Sequence, residues 1–194
     1  MIVPVTRSRT VITALCVVSV LALGACSGSD PQPKFADPTP TVPSSPSTTA
    51  VSGPIEPTMP AAAQGTDAAA AEAFVKFYWE MVNYAQATGD LDGLRSISPA
   101  DCEACQRGVD YLDSVFRRDG RVRGGENSLS SISSGPVGGD GKRRYVRFDL
   151  SNTRQVVAIP GHRDEVYRAA TVHGEAVLVK TPTGWRLEYW GKQS

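Results

Sequence analysis

The chain has 194 residues, with 20 Lys and Arg against 20 Asp and Glu. A net charge of zero offers no basic field for nucleic acid. The prolines are unevenly spread: nine of the fourteen lie between Ser27 and Thr66, which divides the chain into unlike parts.

Arg7 and Arg9 give a positive start, and Val11 to Leu23 is an apolar run of about 13 residues. A spanning helix needs roughly 20, so the pattern is that of an export signal. The run closes on Leu23-Gly24-Ala25-Cys26, which resembles the lipobox of bacterial lipoproteins. The resemblance implies cleavage after Ala25, a diacylglycerol thioether on Cys26, and attachment to the outer face of the cell membrane. Residues 1–25 are thus expected to be a lipoprotein signal peptide. Removing them takes away two arginines and no acids, which leaves 18 bases against 20 acids and a net charge of −2. Cys16 leaves with the signal and Cys26 carries lipid, so Cys102 and Cys105 are the remaining pair, in a compartment where disulfides persist.

Residues 26–66 are expected to form a disordered tether. Pro, Ser, Thr, Ala and Gly dominate there, and such a segment buries too little apolar surface to offset its ordering entropy. A coil of roughly 40 residues spans on the order of 35 Å, a suitable spacer between bilayer and domain.

Residues 67–194 are long enough for one domain with one core. Thr66 or Asp67 can cap a first helix in which Phe74, Phe77, Tyr78, Met81, Val82 and Ala85 follow the 3.6-residue period. Glu72, Lys76, Glu80 and Asn83 fall on its polar face, where the first three can pair at i,i+4. Thr88-Gly89-Asp90 ends this helix, and Asp90 caps a short second one through Leu91, Leu94 and Ile97. Ser98-Pro99-Ala100-Asp101 reads as the start of a third, with Pro at its first position and Val109, Leu112 and Phe116 as its stripe.

Strand patterns follow. Leu129 and Ile132 lie in a weak Ser-rich strand, and Gly138-Gly139-Asp140-Gly141 makes a turn. Tyr145 to Leu150 alternates, with Val146, Phe148 and Leu150 on one face. Val156 to Ile159, Arg168 to Lys180, and Trp185 to Trp190 complete the set; in the last, Trp185, Leu187 and Tyr189 are expected to share a face. Helices followed by an antiparallel meander give an α+β fold.

Three helices and then a sheet ending in Gly-Trp-Arg-Leu resemble the nuclear-transport-factor-2-like, or ketosteroid-isomerase-like, cone fold. The stretch Phe74 to Asp90 together with Cys102-Glu-Ala-Cys105 resembles a family of actinobacterial lipoproteins of unestablished function. These resemblances imply amino-terminal helices packed on a curved sheet and an envelope location, and they carry over no catalytic residue.

The chemistry-bearing residues are few. At i,i+3 on a helix the β-carbons of Cys102 and Cys105 would be about 5–6 Å apart, against roughly 3.5–4.5 Å in a disulfide. A distorted first turn closes that gap, so a local structural disulfide leads, with a redox pair and a zinc site as alternatives. A redox pair draws on the low thiol pKa at a helix amino terminus. Zinc would need His162 and His173, whose spacing fits no familiar pattern. Alternation places Asp149 outside, and it places His173 on the face of Val177 and Val179, which leaves an inward position open to it. No catalytic set, metal or cofactor is expected. Tyr78, Tyr84, Trp185 and Tyr189 read first as core, with the lining of a pocket as the alternative. Trp79 and Trp190 stand at the edges of their apolar faces, and Lys142-Arg143-Arg144 reads as solvated surface. The expected role is a non-enzymatic envelope module touching a protein partner or wall component. A small-molecule binder using the cone pocket and a cone-fold enzyme are the alternatives.

Overall fold

The computed structural model describes residues 53–193. The expected signal peptide, Cys26 as the expected lipid site, and most of the expected tether therefore lie outside the described residues.

Helix α1 (Ala68–Thr88) starts where Asp67 Oδ1 accepts from the Ala70 N–H at 2.8 Å, which satisfies one of the free donors at a helix start. It stops at Gly89, whose φ of 80° lets its N–H reach the Ala85 carbonyl. A β-carbon at Gly89 would sit 2.8 Å from the Phe116 ring, so both conformation and packing call for glycine there. Helix α2 (Asp92–Ile97) follows, with Asp90 Oδ1 accepting from Asp92 N.

Helix α3 (Glu103–Phe116) begins later than the sequence suggests. Pro99 stands in a turn whose carbonyl accepts from Cys102 N, and Cys102 is the N-cap with non-helical backbone. The delay has a physical reason. With Cys102 outside the first turn, its sulfur is free of the i,i+3 helical spacing and bonds Cys105, the two Cα atoms 5.2 Å apart.

The strands are β1 (Arg121–Gly124), β2 (Asn127–Val137), β3 (Arg143–Asn152), β4 (Gln155–Ala158), β5 (Glu165–Tyr167), β6 (Ala170–Thr181) and β7 (Gly184–Lys192). They form an antiparallel sheet of order β2-β3-β6-β7 and a smaller one of order β1-β4-β5. Strands β1 and β5 are short and largely exposed, so neither carries the alternation that marks β3. The result is α+β, with amino-terminal helices packed on a curved antiparallel sheet.

The inner face of the large sheet carries Val146, Phe148, Leu150, Ala176, Leu178 and Leu187, all buried against Phe74, Phe77, Tyr78, Met81 and the α3 stripe. Trp79 and Trp190 belong to this core rather than to an exposed edge; their rings meet edge to face at 4.9 Å. Arg144 also turns inward, its guanidinium 5.6 Å from the Trp185 ring centroid and Nη1 donating to Gly135 O at 2.7 Å.

The polar face of α1 is not merely solvated. Glu72 Oε1 accepts from Ser134 N at 2.8 Å. Asn83 accepts from Asn127 N and donates to Asn127 O, both at 2.8 Å, and Gln86 donates to Gly125 O. Strand β2 is an edge, and Glu72 and Asn83 satisfy backbone groups that an edge leaves open, while Gln86 holds the loop before it.

The domain also begins before residue 67. Ala61–Gln64 forms a 3-10 turn in which Ala63 is buried, and Met59 packs on the core. The end of the expected tether is therefore drawn onto the domain, where Ala63 has an apolar surface to cover.

Candidate functional site

The Cys102–Cys105 bond is formed and both residues are fully buried. With each sulfur bonded to the other, neither is a thiolate available to a metal, and burial denies access to an exchanging thiol. Among the described residues, no group of three His, Cys, Asp or Glu is placed to hold a metal ion. No helix among them is long and apolar enough to cross a membrane.

The four candidate pocket residues do not converge. Tyr78 and Trp185 are core residues. Burial pushes the Tyr78 phenol pKa up, and Trp185 Nε1 donates to Asp67 O at 3.2 Å. Tyr84 reaches Asp90 Oδ2 at 3.1 Å at the surface. Tyr189 is 48% exposed and lies on the opposite side of the sheet from Trp185. A bulge explains this correction. Leu178 pairs with Leu187, but Val177 pairs with Tyr189, so Glu188 is an extra residue in β7. One inserted residue reverses the alternation beyond it, which sends Tyr189 out and Trp190 in.

His173 is corrected for a different reason: it does share a face with Val177 and Val179, but that face is the outer one. Ala176 and Leu178 hold the inner positions of β6, so His173, Glu175 and Val177 face out. His173 pairs in register with Asp149, and Nδ1 lies 2.5 Å from Asp149 Oδ1.

That contact is one rung of a ladder across the outer face. Ser151 and Thr171 share a 2.8 Å hydroxyl contact, Arg147 Nε donates to Glu175 at 3.1 Å, and Arg143 binds both Glu188 oxygens at 2.6 and 2.8 Å. Between the two arginine rungs, Tyr145, Val177 and Tyr189 lie in register across β3, β6 and β7, and Tyr145 is 40% exposed. Beside Tyr145 and Arg147 is a hollow of about 320 Å³ backed by Ser133, Ser134 and Gly135.

The pairing fixes ionisation. The bond from His173, then the Ser131 hydroxyl, holds the Asp149 carboxyl below the usual carboxylate range. Arg143 does the same for Glu188, which in turn pushes the guanidinium up. Backbone N–H groups of Lys142 and Arg143 bring Asp140 down to about 2. Ser131 bears on the carboxylate rather than on the imidazole Nε2, so the three do not form a nucleophile–base–orienter chain. The arrangement supplies fixed donors and acceptors around aromatic rings. It suits recognition.

A model of a protein family of unknown function, DUF6318, matches residues 42–183. The chain belongs to this family. No curated protein matches the sequence. Among solved structures, the DUF6318 chain is similar to the intermembrane space region of the chloroplast protein ARC6, with a TM-score of 0.52 at 15% identity over 67% of this chain and 98% of that one. Weaker likenesses include an uncharacterized cystatin-like-fold protein from Caulobacter vibrioides (TM-score 0.36, 14% identity, 56% and 78% covered). Another is a putative polyketide cyclase from Pseudomonas putida (0.31, 12%, 61% and 90%). At these identities the likeness to ARC6 concerns the fold alone. What a DUF6318 domain does has to be argued from its own surface.

Proposed function

We propose that this DUF6318 protein is an exported lipoprotein, held at the extracytoplasmic face of the cell membrane by acylated Cys26. Its domain acts as a non-enzymatic binding module toward a wall component or envelope protein. The observation that carries the binding role is the division of labour across the large sheet. Its inner face is occupied by packed side chains, while its outer face presents ordered polar pairs and two exposed tyrosines. The buried disulfide supports export, because such bonds persist outside the cytoplasm. The lipobox residues support the anchor, since several buried acyl chains hold far better than one.

Labelled palmitate should enter the wild-type protein and not Cys26→Ala, and the variant should move from the membrane to the soluble fraction. Unchanged fractionation of Cys26→Ala would sink the anchored reading.

A further inference from the structure

The outer face has a detail that exposure alone does not convey. A β-carbon built at Gly191 would meet the Tyr189 hydroxyl at 2.1 Å and its ring carbons at 2.7 and 3.3 Å. Tyr189 therefore lies along β7, over the space that Gly191 leaves, and does not stand up from the sheet. A ring lying down shows solvent its broad face, the electron-rich side that attracts weakly positive C–H groups. Tyr145 sits in the same row two strands away. Adjacent strands are about 4.7–4.9 Å apart, which puts the two tyrosine positions roughly 10 Å apart with Val177 between them.

Polar groups flank this row on both sides. Arg147 and Arg143 are matched by Glu175 and Glu188, so the row carries no excess of either charge beside the rings. The Arg147 side chain is 63% exposed and donates to Glu175 through Nε, which leaves its guanidinium tip facing solvent. The hollow beside Tyr145 adds the Ser133 and Ser134 edge of β2.

The geometry points to a binding platform for a neutral, linear glycan of hexopyranose units, with sugar rings stacked on Tyr189 and Tyr145 and their hydroxyls bonded to the Arg147–Glu175 pair. Pyranose rings offer C–H faces to aromatic rings and hydroxyls that both donate and accept, and matched ion pairs present both complements. A polyanion or an anionic bilayer would call for uncompensated cations. A stable protein interface buries about 800 Å² on each side; two tyrosines contribute at most about 250 Å² each, and the row around them is polar. This inference rests on the outer face being the contact surface, and it is independent of the Cys26 anchor.

The test is calorimetric titration of the full chain in detergent with chitotetraose and cellotetraose, and with dextran sulfate as a polyanion. Saturable binding of a neutral tetrasaccharide is expected. Tyr189→Ala and Tyr145→Ala should each weaken it about tenfold, while Tyr189→Phe keeps most of it because the ring does the stacking. Gly191→Ala is the discriminating variant. It removes no contact group, and the atom it displaces is the free end of an exposed side chain, so the fold survives while Tyr189 tips off the sheet. A fivefold or greater loss with an unchanged melting curve supports the platform. The proposal is overturned by no saturable binding below about 10 mM, by dextran sulfate alone binding, or by Tyr189→Ala and Gly191→Ala both titrating like wild type. Palmitate incorporation is read separately, so failure here leaves the anchor standing and failure there leaves the platform standing.

Discussion

The inner and outer faces of β3, β6 and β7 are made from alternate residues of the same strands, yet they answer to different physics. Val146, Leu178 and Leu187 are almost wholly buried, and a close-packed interior resists any change of volume. Across the sheet, Arg143 and Arg147 pair with Glu188 and Glu175 at partly exposed positions, where an ion pair contributes little to stability. The lesson is that one alternating pattern can pack a core on one side of a sheet and leave ordered polar pairs on the other.

The largest effect should come from the inner face. Leu178→Ala is expected to lose about 3–4 kcal/mol, the sum of lost burial and the cavity left behind, read as a lower denaturant midpoint with unchanged slope. A loss below about 1 kcal/mol would break the contrast, since it would mean the interior yields as readily as the surface.

A smaller effect belongs to the seam where α1 meets β2. Asn83→Ala leaves the Asn127 N–H and carbonyl without the side chain that now bonds both, at about 1–3 kcal/mol for partly buried groups. Amide exchange at Asn127 should quicken in the variant; if it does not, Asn83 is not what holds that edge.

The smallest effect lies in the outer region. Asp140 has its pKa depressed to about 2, below the roughly 3.9 of an unfolded Asp. Its contribution is present above pH 4 and is lost as pH falls from about 4 to 2, because the unfolded state takes up the proton first. In Asp140→Asn that part of the acid slope should disappear, and stability near pH 7 should fall by the same amount that the wild type loses between about pH 4 and 2. An identical slope in the variant would show that other carboxylates set the acid behaviour.

Much of the fold is legible in the sequence because its signals are local. The spacing from Phe74 to Ala85, the cap at Asp67, the stop at Gly89 and the alternation from Tyr145 to Leu150 each follow from neighbours in the chain. Strand β1 and strand β5 leave no such trace, since an exposed strand of three or four residues has no apolar face to repeat. The outer face of the large sheet is harder still. Placing Tyr189 outside needs the Glu188 bulge, and pairing His173 with Asp149 needs the β3–β6 register across two intervening strands. Neither is a property of a short window. Arg144 makes the same point: it looks like one more surface charge, and only the curl of β2 offers it the Gly135 carbonyl.

The sequence alone determined that a proline-rich segment precedes one α+β domain and that Cys102 and Cys105 stand within one turn of each other, because these depend on composition and on spacings within a few residues. Only the tertiary structure decided which side of the sheet each of Tyr189, Trp190 and His173 occupies. Facing is set by register and by a single inserted residue, and both are fixed by distant strands competing to bury their apolar sides.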